Sequence, residues 1–457
     1  MSEYDLSIAL ADGTFIDWSS PSLWAGGQVP NDPSALVVFQ PIAGKTYFAE
    51  IASGETFAAN TLDMPAHHLL LSGTLNLQNA LNVTGQSAEV DLYDGTLSAA
   101  SIHLAGAPYW RGIVGVGHVT VGGQLYNQSS IDADEQPGLA SGTTLTVQAG
   151  TLVNSGLLEA SPFATLTVSA IHFTNYSNGA LSGGTYEADN GTLDLHTPGL
   201  VKIDDASLIF GNGTSVIASY DPVSGHYDPI SSTLSAITAH GRLKADATRY
   251  GTTVGLTDYG SILISGSGAE FQGPRLSVAS GGTVTLSGDS SSDNVVIWVG
   301  QLSNNGTITA VAGLGSSSPN IISAPAVTGT GTIVIGPENS DIEHGQTVYY
   351  YASAELTGMV SNAIKFSDGT GTVILDTPKG MTGAFQQFQA GDHIILSGVT
   401  YSSVTGYDYS GSASSGTLTI HEGAASIRLA FTGDYTTADF SLSSNTHGLG
   451  IVGVAPA

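Results

Sequence analysis

The acidic residues of this 457-residue chain gather at a few places where oxygen ligands could meet. Asp132, Asp134 and Glu135 stand within four positions, and Asp289 and Asp293 flank three serines. Hard cations such as calcium take about six to eight oxygen ligands, so each run is a candidate calcium site. Asp221, His226 and Asp228 form a looser third group in a stretch that holds Pro222 and Pro229. The same composition also suits a solvated turn. Among the histidines, His67 and His68 are adjacent, and neighbouring strand residues point to opposite faces, which makes a poor chelate. Asp204-Asp205 and the run from His240 through Arg242 to Lys244 hold the parts of a uronan-hydrolysing site. In a strand His240, Arg242 and Lys244 would share one face. Their compression into one strand is the wrong spacing, and a polyanionic substrate would be repelled by the chain's charge. No nucleophile elbow, phosphate loop or dinucleotide fingerprint occurs in a strand-to-helix context. No catalytic residue is assigned, and the expectation is a protein that is not an enzyme.

The elements that must carry these residues are short strands. A phrase of Gly, Thr, apolar, polar, apolar recurs from Gly73, Gly95, Gly150, Gly191, Gly282, Gly306, Gly331, Gly371 and Gly416. The β-branched Thr favours a strand, alternation sends side chains in and out, and Gly is expected to take a corner with positive φ. Steps of 22, 24 and 25 residues separate Gly73 from Gly95, Gly282 from Gly306, and Gly306 from Gly331. A period in the twenties with Gly and Asn corners predicts a parallel β-solenoid. Asn154, Asn178, Asn190, Asn212 and Asn305 each stand at a turn signal, and stacked Asn can form hydrogen-bonded ladders. The fold class is therefore all-β, a parallel β-solenoid (β-helix) with an N-terminal cap and a C-terminal β-module. Residues 1–60 are expected to be the cap or first coil, 61–340 the repeats, and 341–457 the C-terminal module. The last region is marked by Tyr349, Tyr350, Tyr351, Phe385 and Phe388.

Composition narrows the partners. Ten basic residues against 38 acidic ones give a net charge of −28, which leaves no phosphate-tracking patch and excludes nucleic acid. No apolar stretch is long enough for a transmembrane helix. There is no Cys, so disulfides and zinc–thiolate sites are excluded. The first residues lack the basic and apolar regions of a signal peptide, so export is expected without a cleaved N-terminal signal.

The segment from Phe173 to Tyr186 resembles a repeat phrase of bacterial secreted adhesin-like and autotransporter-passenger-like β-solenoid surface proteins. The phrase from Trp24 to Pro30 is similar to the start of their first coil. The stretch from Phe385 through Phe388, Gly391 and Asp392, running on to Phe440, resembles a C-terminal module of such proteins in Gram-negative bacteria. The resemblance implies an extracellular or cell-surface protein; since the open ends of a solenoid must be capped or stack on another copy, a structural protein is expected that assembles head to tail with itself into a fibre or layer, serving adhesion or a biofilm matrix. Trp18, Trp24, Tyr349, Tyr350, Tyr351, Phe385 and Phe388 are the expected assembly residues, calcium the expected ion, and surface glycans a further expected partner. The alternatives are a carbohydrate-active β-helix enzyme of the lyase or hydrolase kind, and a monomeric glycan-binding adhesin.

Overall fold

The structure is a computed structural model that describes residues 3–5, 13–42, 45–106, 111–134, 143–288, 293–312, 318–336, 339–343, 346–367 and 370–454. It is a parallel β-solenoid with 61% of the chain in strands. Among the described residues the only helical elements are short 3-10 turns, as a sequence poor in helix formers dictates. None is long and apolar enough to cross a membrane. The chain forms two units, residues 1–230 and 231–457.

In the first unit each coil contributes to three parallel ladders, here called faces. The first face carries Thr14–Asp17, Tyr47–Ile51, His68–Leu71, the start of Glu89–Ala99, the start of Arg111–Asn127, Ser130–Ala133 and Leu157–Ala160. The second face stacks the start of Thr74–Val83 on the end of Glu89–Ala99, then the middle of Arg111–Asn127, Thr144–Asn154, Thr165–Phe173 and Thr192–His196. The third face begins with Glu3–Asp5 on Leu36–Val38.

Strict alternation makes this possible. Leu75, Leu97, Val119, Val147, Val168 and Leu195 stand in register on successive coils of the second face, and all are buried. Each such side chain contributes roughly 1.5–3 kcal/mol of burial. Asparagine binds the corners. Asn127 donates from Nδ2 to Asn154 Oδ1 (2.8 Å), and the Asn154 backbone N–H donates to Asn175 Oδ1 (2.7 Å). The repeat glycines hold their places for a different reason from the expected one. None of Gly73, Gly95, Gly282, Gly306 or Gly331 has positive φ. A Cβ on Gly95 would overlap the Leu71 carbonyl, and one on Gly306 would overlap that of Gly282. Close approach of consecutive coils excludes a side chain there.

The described strands of the first coil pair in parallel with the coils that follow. Trp18 and Trp24 meet edge to face at 4.8 Å inside the first coil. Their indole N–H groups donate to Pro30 O (3.2 Å) and Trp18 O (2.9 Å).

The second unit repeats the three-ladder plan. One ladder joins Arg242–Asp246, Ser261–Ser265, Thr283–Ser287, Thr307–Val311, Thr332–Ile335, Ala363–Phe366 and Ala384–Gln386. The expected boundary at 341 is therefore corrected: parallel coils continue to His393–Ser397. What begins at 339 is a hairpin, Asn339–Glu343 with Gln346–Tyr350, set between two coils. The antiparallel module lies later. Val404–Gly411, Ser415–Glu422 and Ala425–Thr432 close one ladder, and Gly448–Gly453 pairs antiparallel with His393–Ser397 to close another. Phe366, Phe385, Phe388, Phe431 and Phe440 pack together inside this end.

Candidate functional site

Ionisable groups concentrate on the outward side of the first face of the first unit. Two columns run along it. In one, Asp91, Val114, Asp132, Glu159 and Glu187 stand in register on successive coils. In the other, Phe15, Phe48, His68 and Glu89 do the same. Parallel strands lie about 4.8 Å apart, so like charges in one column repel strongly. Aromatic rings benefit from the same spacing. Phe15 and Phe48 stack at 4.9 Å, and Phe48 meets His68 at 4.8 Å.

The columns meet at His68, Glu89 and Asp91. His68 Nδ1 lies 3.1 Å from Asp91 Oδ2 and 3.7 Å from Glu89 Oε2. One ligand atom from each residue falls within 4.8 Å of the other two, and among the described residues this is the only group of three or more with such geometry. All three residues are half-buried. Burial, and then the charge and hydrogen bond of Asp91, push the Glu89 carboxyl up to about 8. The face continues in the same sense. Burial and then the charges of Asp132 and Glu187 push Glu159 up to about 8. Burial likewise raises Asp132 to about 6, against the stabilising hydroxyl of Ser161. Arg111 supplies one counter-charge, 3.7 Å from Asp134.

Two chemistries follow. Near neutral pH Glu89 retains its proton, hydrogen-bonded to Asp91. A cation can replace that proton, because metal binding and protonation compete for the same oxygens. One imidazole nitrogen with two carboxylate oxygens suits zinc or manganese better than calcium, which takes oxygen ligands throughout.

Of the expected calcium ligands, Asp132 is buried and its Oδ1 accepts from Ser161 Oγ at 2.9 Å. Asp134 faces Arg111. Asp293 accepts from Ser267 Oγ at 2.7 Å. Glu135 and Asp289 lie outside the described residues. Asp221 takes the amides of Val223 and Ser224, which close a hairpin turn and hold its carboxyl below the usual range. Asp204 and Asp205 fall in the first unit, and His240, Arg242 and Lys244 in the second.

The expected assembly residues need correction. Trp18, Trp24, Phe385 and Phe388 are all buried within the chain's own core, because rings this large fill the coil interior. They present no surface to a partner. Tyr351 is 52% exposed, while the side chains of Tyr349 and Tyr350 lie outside the described residues.

His67 stands outside the strand His68–Leu71, in a bend with φ +71°, so strand alternation does not set the directions of the pair. His67 is buried with Nε2 2.9 Å from Gln40 O, and the Tyr47 N–H donates to its Nδ1. The partners of His68 are 21 and 23 residues onward in sequence, one coil away. That coil-length step is the signal that could have found them. Compared with protein-family models, curated proteins and solved structures, the chain matches none.

Proposed function

We propose that this chain is an extracellular or cell-surface structural solenoid, not an enzyme, that associates with copies of itself into a fibre or layer. The observation that carries the reading is a strand edge in the first coil that has no partner among the described residues. Thr14–Asp17 pairs with Tyr47–Ile51 on one side, and among the described residues no strand pairs with its other edge. Unpaired N–H and C=O groups template the addition of a strand from another chain. Contact between an edge and a different surface on the next copy does not close on itself and yields filaments.

Charge opposes that contact. A net charge of −28 keeps copies apart unless counter-ions intervene. The carboxylate columns and the His68–Glu89–Asp91 group support a dependence on divalent cations. The adhesin-like resemblance of the Phe173–Tyr186 phrase agrees with a role at a bacterial surface. Sedimentation velocity on the purified full chain tests the reading, with zinc, with calcium and with chelator. The expected result is a concentration-dependent rise in mass when either ion is added. A single monomeric species under all three conditions, at concentrations up to about 100 μM, would overturn it.

A further inference from the structure

A different face of the first unit carries a groove. It has a volume of about 470 Å³ and runs across four coils of the second face. Thr120, Gln148, Ser169 and His196 stand in register along it, one polar side chain per coil. Val121, Ala149 and Ala170 follow them in register on the first three coils, the first two buried beneath the strands. Ile171, 79% exposed, is the apolar side chain at the edge of the groove. Glycine keeps the groove open at two corners. Gly122 and Gly150 line it, and a Cβ on Gly150 would crowd the carbonyl oxygens of Gly122 and Gly123.

Aromatic rings flank the His196 end. His196 stacks on Tyr220 at 4.0 Å with the ring planes 18° apart. Its Nδ1 lies 3.2 Å from the Tyr227 hydroxyl. Tyr220 and Tyr227 pair across the hairpin formed by Val216–Asp221 and His226–Pro229. The hairpin turn thus fixes both tyrosines against the imidazole.

From this arrangement we infer that the groove binds a neutral β-linked glycan lying along the stack of coils. An extended β-linked pyranose chain advances per sugar by nearly the coil spacing of about 4.8 Å. Each of about four sugars therefore meets one hydroxyl, amide or imidazole. The exposed Ile171 side chain covers part of the apolar C–H surface of the sugar rings, and the polar row satisfies their hydroxyls. Charge selects the class. No Lys, Arg, Asp or Glu lines the groove, so nothing there compensates a uronate or a cationic sugar. A polyanion would also meet the repulsion of the whole chain.

The test uses the full chain and named probes. Cellohexaose, xylohexaose and chitohexaose are titrated by calorimetry, with hexagalacturonate and an unstructured peptide as controls. Gln148→Ala, at an exposed position, and His196→Ala are compared with the parent, and melting curves verify that both fold. The expected result is binding of at least one neutral hexasaccharide with Kd near 0.1–1 mM. Its disaccharide should bind at least about 10-fold more weakly, and each variant should lose about 5- to 10-fold. Three results would overturn the inference: no neutral hexasaccharide bound at about 10 mM, binding unchanged in folded variants, or tighter binding of hexagalacturonate or peptide. A chain that remains monomeric with every cation leaves these outcomes unaffected, so this inference and the assembly reading fail separately.

Discussion

Replacing Glu159 with Gln should stabilise the protein at alkaline pH and leave it unchanged in mild acid. Glu159 stands between Asp132 and Glu187 in one column and titrates near 8 in the fold, against about 4.5 for an ordinary glutamate. The sign follows from linkage. Below pH 4 both folded and unfolded chains carry the proton, and the group contributes nothing. Between about 4.5 and 8 the unfolded chain ionises while the fold retains its proton, so stability falls as pH rises. Above 8 the full penalty applies. At about 1.4 kcal/mol for each tenfold change in proton affinity, the ceiling is near 5 kcal/mol. The side chain is only half-buried, and solvent screening reduces the effect to about 1–2 kcal/mol. For a unit of roughly 230 residues this corresponds to a melting shift of about 2–8 °C. Scanning calorimetry of parent and Glu159→Gln at pH 4.5 and pH 9 measures it. The variant should melt higher at pH 9 and equally at pH 4.5. A variant that melts lower at pH 9, or a parent whose melting temperature rises from pH 5 to pH 9, would refute the reasoning.

His68→Ala should weaken zinc binding at least about 10-fold by calorimetry at pH 7.5, because it removes the one nitrogen ligand of the group; an unchanged affinity would place the ion elsewhere. Trp18→Ala should cost about 3–5 kcal/mol, read as a lower melting temperature, since the indole is fully buried in the first coil. Gly306→Ala should destabilise by about 1–3 kcal/mol despite an ordinary φ, because the new methyl meets the Gly282 carbonyl. Equal stability of that variant would show that the coils can separate slightly at this corner.

Much of the architecture is legible in the sequence. The alternation after each Gly-Thr marks the inward rows, and the period in the twenties identifies the coil. Two readings went astray for physical reasons. Corner glycines suggested positive φ, yet in register stacking the limiting contact is with the coil before, a relation no local pattern displays. Aromatic enrichment near Tyr349 suggested a new module, whereas the hairpin there interrupts coils that resume at Ser353–Leu356. The phenylalanines farther on, Phe366, Phe385, Phe388, Phe431 and Phe440, fill an interior.

The site was less legible than the fold. Adjacent acidic residues such as Asp132 and Asp134 attract attention because they are close in sequence. In a solenoid, residues meet across coils, and coil lengths differ. His68 reaches Glu89 after 21 residues, Asp132 reaches Glu159 after 27, and Glu159 reaches Glu187 after 28. Without the register those columns do not appear. The groove on the second face is hidden for the same reason, since Thr120, Gln148, Ser169 and His196 are unremarkable one by one.

Negative-stain electron microscopy of the purified chain tests the central claim most directly, with zinc or calcium present and then after chelation. Self-association through the strand edge of the first coil predicts regular filaments or sheets in the presence of divalent cation and their dispersal by chelator. Isolated particles of uniform size under every condition would contradict it.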